Sequence, residues 1–350
     1  MLKIVLIGAI GWGVLVFFEV RKKIILNIFV GAYLFILLVV LCLPESNPLR
    51  LLVGLSAIEW LSMSIIFVCI FGYILVLKKI KMRNIAKYAS TIPKNDMSDV
   101  EIERYARHLV LKEIGGQGQQ KLKQAKVLVI GAGGLGNPVS MYLSGAGVGT
   151  IGIIDHDIVS LSNLQRQVLY REDDVGASKV FATRNNILEI NPHVEVKPYN
   201  RSLDPNNAQE LISEFDLVID GTDNVETRHL VNLACVREQK PLISGAISQW
   251  EGQVSLFDPS KNFPCYACIF PKSDKDSLTK SCADVGVLSS LPGVIGSLMA
   301  VEAIKEIIGF GDSLRGQLFL YDAISSRTRK IEIRRDAHCE VCSSTASKLT

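Results

Sequence analysis

A regular alternation of short apolar strands with helices, over residues 126–247, constrains the fold of this chain more than any other feature. Strands are predicted at KVLVI, TIGIID, EVKPY, DLVID and PLISGAI, and helices around residues 177–190, near 205–214 and over 225–239. Strands that alternate with helices at this spacing favour a parallel sheet that is covered on both faces. The expected fold class is therefore α/β, with a Rossmann-like, doubly wound and mainly parallel sheet.

The boundaries of this α/β domain are predicted at residues 98 and 343. Ser98 and Glu101 have the spacing of a capping box, in which each side chain satisfies a free backbone N–H of the other residue. They open an amphipathic helix through RYARHLVLKEI, which Gly115-Gly116 should end. Near the end of the domain, a long helix from Gly293 to Ile308 precedes two more predicted strands, QLFLYDA and RTRKIEI. Residues 344–350 are expected to form a tail.

Three apolar runs precede the domain and raise the mean hydropathy of the chain to +0.28. A membrane helix needs about 20 apolar residues, and the runs at 4–20, 24–43 and 57–77 approach or reach that length. Residues 1–77 are therefore predicted to be a membrane anchor with about three transmembrane helices. Basic residues follow the first and third runs, and residues 78–97 are expected to be a basic juxtamembrane linker. The positive-inside rule then predicts a multi-pass protein with its N-terminus outside and the α/β domain in the cytoplasm.

The charge of the chain is concentrated beside these apolar runs. The full chain has a formal net charge of +3, but residues 89–350 hold 28 basic and 32 acidic side chains, a net charge of −4. Proteins that bind nucleic acid through charge carry a basic surface instead. No nucleic-acid partner is expected.

A glycine-rich turn between the first predicted strand and its helix indicates a phosphate site. KVLVI is followed by GAGGLG, which places Gly131, Gly133 and Gly136 in a G-x-G-x-x-G pattern. Glycines let backbone N–H groups approach phosphate at the start of a helix. Asp155 ends the next strand, where a carboxylate can accept hydrogen bonds from ribose hydroxyls. This pattern suits NAD, FAD or ATP, so an oxidoreductase remains an alternative at this point.

Charged residues after the glycine turn favour a triphosphate with its magnesium. SNLQRQ brings Asn163 and Arg166 into the loop after the second strand, and Lys179 opens the following helix. Asp223 and Asn224 follow DLVID, at the strand ends where doubly wound sheets bind ligands. The cations would neutralise developing charge on phosphate, and Asp223 would hold the metal ion. Taken one at a time, these residues are equally consistent with ordinary surface charges and a salt-bridged lysine.

Cysteine spacing predicts a second, metal-binding site. Cys265 and Cys268 form one C-x-x-C pair, and Cys339 and Cys342 form another. Four thiolates suit a tetrahedral Zn²⁺ with no open position, which is a structural site. A further cysteine, Cys282, lies in the loop segment SCADVGVL, where an accessible thiol can act as a nucleophile.

Together, the GxGGLG turn, SNLQRQ, the GxSK lysine and D-x-x-DN resemble the ThiF/MoeB/HesA-type adenylyltransferases, which are relatives of the ubiquitin-activating enzymes. The similarity covers about Arg104 to Cys342 and is strongest to the molybdopterin-synthase adenylyltransferases of that family. It implies adenylation, with ATP and Mg²⁺, of the C-terminal glycine of a ubiquitin-like sulfur carrier that ends in Gly-Gly. The family also shows the zinc pattern, which implies bound Zn²⁺.

The resemblance also assigns roles to individual residues. In some relatives, the cysteine at the position of Cys282 forms a covalent link to the carrier. Arg107 corresponds to the second arginine of the family's RYxRH motif, which reaches the nucleotide bound by the partner subunit. This correspondence implies a homodimer. The implied catalytic residues are Arg107, Arg166, Lys179, Asp223 and Cys282. The implied nucleotide-binding residues are Gly134, Asp155, Ser162, Asn163, Leu164, Gln165, Arg166, Lys179, Asp223 and Asn224.

Some relatives carry an appended rhodanese domain that supplies sulfur. This chain is expected to depend on a separate sulfur donor, because the sequence ends at Thr350, shortly after the second cysteine pair. Three other functions remain open alongside adenylation of a sulfur carrier. They are an NAD(P)-dependent oxidoreductase, an adenylyltransferase for tRNA or a peptide, and a membrane scaffold without catalysis.

Overall fold

The computed structural model describes residues 97–272 and 286–343, together with scattered positions between residues 31 and 79. The chain divides into two compact units, Met1–Asn84 and Ile85–Thr350. In the first unit, the described positions from 58 to 79 are helical. The second unit contains the residues predicted to form the α/β domain, and every element named below belongs to it.

The prediction of a multi-pass membrane protein is wrong. Crossing a bilayer takes a helix of about 20 mostly apolar residues, and no helix among the described residues combines that length with enough hydrophobicity. The predicted span 4–20 lies outside the described residues, 24–43 lies largely outside them, and 57–77 is described at about half of its positions. Most of the linker 78–97 and the whole tail 344–350 also lie outside. The anchor was predicted from the length of the apolar runs, and its orientation from the basic residues that follow them.

The domain opens with the predicted cap but with a shorter helix than expected. Ser98 and Glu101 form the capping box, with the Ser98 backbone N–H donating to Glu101 Oε2 at 2.8 Å. Instead of one helix to Gly115, the chain forms α1 (Asp99–Arg104), α2 (Ala106–Leu109) and then α3 (Gly115–Gln124). The break falls at Tyr105, which is buried and whose hydroxyl accepts a 2.8 Å hydrogen bond from Asn191. The predicted helix is thus divided at Tyr105, and its second part ends at Leu109 rather than at Gly115.

The described strands form an eight-stranded mixed sheet in the order β3-β2-β1-β4-β5-β6-β7-β8. Their bounds are β1 Lys126–Ile130, β2 Thr150–Ile154, β3 Glu195–Tyr199, β4 Leu217–Asp220, β5 Leu242–Ile247, β6 Glu251–Phe257, β7 Gln317–Asp322 and β8 Arg327–Glu332. Neighbours from β3 to β5 pair in parallel, as predicted, and neighbours from β5 to β8 pair antiparallel. Strand β6 was not predicted, so the sheet is less parallel than expected. Strand β8 forms one edge, and all six of its residues are exposed.

Helices cover both faces of this sheet. Besides α1 to α3 they are α4 Gly136–Ala146, α5 Lys179–Ile190, α6 Ala208–Ser213, α7 Val225–Arg237, α8 Tyr266–Ile269 and α9 Leu291–Ile308. Val127 and Val129 of β1 belong to a core cluster with residues of α3, α4, α5 and α9. Leu128 and Ile130, which alternate with them, belong to a second cluster with residues of α6, α7 and α8. Because side chains alternate across a strand, this division confirms the expected helices on both faces.

Candidate functional site

The carboxyl ends of β1, β2, β4 and β5 open onto a cleft of about 650 Å³. Open α/β sheets bind ligands at this edge. Among the described residues, the predicted site residues that line the cleft are Gly134, Asp155, Asn163, Arg166, Lys179, Asp223 and Asn224. The fold therefore brings together side chains that are up to 90 positions apart in the sequence.

The glycine turn has a backbone that larger residues could not adopt. Gly131 has a φ of +90°, and its position beside β4 would place an added Cβ 3.2 Å from the Gly221 carbonyl oxygen. A Cβ at Gly136 would lie 1.9 Å from the Gly131 carbonyl oxygen. The turn folds tightly against the start of α4, where the free N–H groups of a helix attract anions.

Asp155 and Asp157 share the loop after β2 but have different partners. The Asp155 carboxylate accepts 2.8 Å hydrogen bonds from the backbone N–H groups of Ala132 and Asp157. Lys179, which is buried at the start of α5, donates to Asp157 Oδ2 at 2.7 Å. The hydrogen bond from Lys179 holds the pKa of the Asp157 carboxyl below its usual range. Sequence reasoning missed Asp157, although the D-x-D spacing was a possible signal.

The SNLQRQ segment presents only some of its residues to the cleft. Asn163 accepts a backbone hydrogen bond from Ser160, and the Arg166 guanidinium donates to the Ser162 carbonyl oxygen at 3.1 Å. Both Asn163 and Arg166 line the cleft. The described walls of the cleft do not include Ser162, Leu164 or Gln165. Leu164 instead packs on the buried cluster of Val159, Tyr170 and Ala182.

The loop after β4 carries an exposed acid above a buried ion pair. Asp223 is exposed at the cleft, and no other described residue hydrogen-bonds to its carboxylate. Asn224 caps α7 by accepting from the Thr227 backbone N–H at 2.7 Å. Below them, Asp220 and Arg228 are both buried, with Arg228 Nη1 3.6 Å from Asp220 Oδ2.

Arg228 also holds the surrounding main chain. Its guanidinium donates to the carbonyl oxygens of Thr222 and Gly245, and to the Ser244 hydroxyl at 3.1 Å. Asp220 in turn accepts from the Thr222 backbone N–H at 3.0 Å. This buried pair fixes the loop that carries Asp223, and nothing in its sequence context suggested the role.

Among the other implied catalytic residues, one lies outside the cleft walls and one is not described. Arg107 is exposed on α2 and does not line the cleft that the described residues form. Cys282 lies outside the described residues.

The two C-x-x-C pairs converge on one cluster. One sulfur atom from each of Cys265, Cys268, Cys339 and Cys342 lies within 4.8 Å of the others. Three of the Sγ–Sγ distances are 3.5, 3.6 and 3.8 Å. Sulfurs placed tetrahedrally at ~2.3 Å from one metal ion lie roughly 3.8 Å apart, so the donor set fits a closed tetrahedral site.

The thiols of the cluster interact with one another. The hydrogen bond between Cys265 and Cys268 raises the pKa of the Cys265 thiol and lowers the pKa of the Cys268 thiol. Asn232 on α7 donates to Cys265 Sγ at 3.7 Å, and its side-chain oxygen accepts from the Tyr266 backbone N–H at 2.9 Å. These contacts orient the first pair before any metal ion is bound.

The parallel core and its cleft define a Rossmann-like nucleotide-binding protein. A family model described as the ThiF family matches residues 105–341. This chain belongs to the ThiF family.

Curated relatives and solved structures agree with this membership. The chain is 46% identical over 246 residues to the sulfur carrier protein adenylyltransferase of Thermus thermophilus, covering 69% of this chain and 91% of that protein. It is 47% identical over 252 residues to the adenylyltransferase and sulfurtransferase MOCS3 of Culex quinquefasciatus, covering 72% of this chain but only 57% of that protein. E. coli MccB in complex with ATP aligns with a TM-score of 0.62 and 28% identity, over 72% of this chain and 77% of that chain.

These comparisons confirm the expected enzyme class. The protein is an adenylyltransferase. Two of the alternatives that the sequence left open, an NAD(P)-dependent oxidoreductase and a scaffold without catalysis, are not supported by these relatives.

Proposed function

We propose that this adenylyltransferase uses ATP to activate the C-terminal glycine of a ubiquitin-like sulfur-carrier protein that ends in Gly-Gly. The observation that carries the proposal is the cleft itself, which joins a glycine turn, the cations Arg166 and Lys179, and the exposed carboxylate of Asp223. The sulfur-carrier substrate is supported by the name of the Thermus thermophilus relative, of which the chain covers 91%.

The chain's own residues account for the chemistry of such a reaction. The carrier carboxylate is already an anion, so it can attack the α-phosphorus of ATP without a general base, and pyrophosphate leaves. Arg166 and Lys179 would stabilise the charge that builds on the phosphoryl oxygens. Lys179 also donates to Asp157, and its three N–H donors allow it to contact a phosphate oxygen at the same time.

Asp223 is the residue that would hold Mg²⁺. Its carboxylate is exposed at the cleft and unengaged by other described residues, and Mg²⁺ prefers such oxygen ligands. When bound, the ion would supply charge neutralisation for the polyphosphate.

A homodimer would complete the site. Arg107 is exposed on α2, away from the cleft of its own chain. Within the proposal, it contacts the nucleotide of a second copy and adds a third cation to the phosphates.

Carrier-dependent ATP–pyrophosphate exchange tests the proposed function. With a Gly-Gly-ending carrier and Mg²⁺, the protein is expected to exchange labelled pyrophosphate into ATP, and intact-mass analysis is expected to detect the carrier acyl-adenylate. A carrier that lacks its terminal glycine is the control and should give neither signal. Exchange that is absent with every Gly-Gly carrier, or equal with the truncated one, contradicts the proposal.

We also propose that the four-cysteine cluster binds a structural Zn²⁺. Cys265→Ser is expected to remove most of the bound zinc and to lower the melting temperature by roughly 5 °C, because a hydroxyl is a poor replacement for a thiolate ligand. Metal content and thermal unfolding measure the two effects.

Cys235→Ala is the matched control for this prediction. Cys235 is also buried but lies outside the cluster, so the variant should keep its zinc. Purified wild-type protein without zinc would count against the site.

A further inference from the structure

One buried glutamine in the cleft wall has no use in the function described so far. Gln167 ends the SNLQRQ segment, lines the cleft and is only 3% exposed. Its side-chain oxygen Oε1 is buried and has no hydrogen-bond partner among the described residues. Buried amides are almost always hydrogen-bonded, so this side chain calls for an explanation.

The main chain of Gln167 is held firmly on both sides. Its backbone N–H donates to the Asn163 carbonyl oxygen at 2.9 Å, and its own carbonyl oxygen accepts from Tyr170 at 3.1 Å. Neither bond involves the side chain. The backbone of Gln167 is thus held in place without any contribution from its amide.

The nitrogen end of the amide lies beside the glycine turn. A Cβ built on Gly133 would be 3.7 Å from Gln167 Nε2. Arg166 lies at a similar distance from the next glycine, since a Cβ built on Gly134 would be 3.9 Å from Arg166 Cδ. The two side chains therefore flank the stretch of backbone at which a phosphate is expected.

The orientation of the amide is costly for folding. It directs the NH₂ group toward the glycine turn and leaves an acceptor buried without a partner. Proteins tolerate such an arrangement mainly where a function requires it.

We propose that Gln167 is a further nucleotide-binding residue, whose Nε2 donates a hydrogen bond to a phosphate oxygen of ATP beside the glycine turn. This rests on the proposed ATP-dependent function and extends it. Gln165, which the sequence motif indicated, is exposed and is not among the described residues of the cleft wall.

The test compares Gln167→Met with wild type by calorimetric titration of ATP, AMP and adenosine. Methionine has nearly the same size but cannot donate. The affinities for ATP and AMP are expected to fall tenfold to roughly a hundredfold, because a hydrogen bond to a charged group is lost. Adenosine has no phosphate, so its affinity should not change.

Thermal unfolding without ligand separates binding from structure. Gln167→Met is expected to melt at the same temperature as wild type or higher, since it removes an unpaired buried acceptor. The same change at Gln119 is the control: Gln119 is buried and its amide donates to the Ala146 carbonyl oxygen at 2.7 Å, so Gln119→Met should melt at a lower temperature.

Gln167→Glu provides a second variant of similar size. Gln167→Glu should weaken ATP binding at least as much as Gln167→Met does, because a carboxylate repels phosphate. Unchanged ATP affinity in Gln167→Met, an equal loss for adenosine, or failure of both variants to fold would overturn the inference. Absence of ATP binding by wild type would instead refute the proposed function.

Discussion

Asp223→Ala is expected to reduce carrier-dependent ATP–pyrophosphate exchange to below about 1% of the wild-type rate. The variant removes the one exposed carboxylate of the loop after β4 that reaches the cleft. Without it, a Mg²⁺ ion that neutralises the polyphosphate would lose its proposed protein ligand, which would be worth several kcal/mol in the transition state, or about a hundredfold to a thousandfold in rate.

The fold of this variant should be intact. Asp223 is exposed, and substitutions at such positions usually change the free energy of unfolding by less than about 0.5 kcal/mol. Asp312→Ala is the matched control, because Asp312 is also an exposed acid but is not among the described residues of the cleft walls. This variant should catalyse pyrophosphate exchange at the wild-type rate. Full exchange by Asp223→Ala would reject the assigned site.

Arg228→Met is expected to lower the free energy of unfolding by about 3–5 kcal/mol. Asp220 has no exposed surface, so removal of its partner leaves a buried carboxylate without a compensating charge. The carbonyl oxygens of Thr222 and Gly245 lose a donor as well. Equilibrium unfolding in urea measures the loss, and exchange activity should fall because Thr222 precedes Asp223.

A double variant shows whether the ion pair is the cause. Asp220→Asn combined with Arg228→Met removes both charges and should recover part of the lost stability, which a double-mutant cycle quantifies. Arg237→Met, at an exposed arginine of the same helix, should stay within about 0.5 kcal/mol of wild type. If Arg228→Met changed the free energy of unfolding as little as Arg237→Met, the buried pair would not hold the loop.

Local patterns in the sequence were sufficient to predict the parallel half of the sheet and the glycine turn. Strands such as Lys126–Ile130 are short apolar runs next to strong turn signals, and the glycine spacing follows from steric limits that act within a few residues. Strand Glu251–Phe257 was missed because it pairs antiparallel with β5 and β7, and β7 is far away in the sequence. Its own pattern contains a glycine and alternating polar residues, which resemble a loop.

The site was predictable in its residue types but not in its detail. Asp220 and Arg228 look like a strand end and a helix surface charge until the fold buries both. The motif that contains Gln165 and Gln167 does not show which amide faces the cleft, because that depends on the 3-10 turn at Leu161–Asn163 and on packing of Leu164. Motifs identify candidates, whereas burial and partners depend on contacts between distant segments.

The exposed edge strand β8 has a consequence for self-association. An unpaired edge offers backbone groups to any extended segment of another molecule, which is a common route to aggregation. Here the six-residue edge carries Arg327, Arg329 and Lys330, all exposed. These three positive charges outnumber the one negative charge of the strand, Glu332, and charged side chains on an edge oppose growth of the sheet by strand addition even though its outermost backbone groups have no neighbouring described strand.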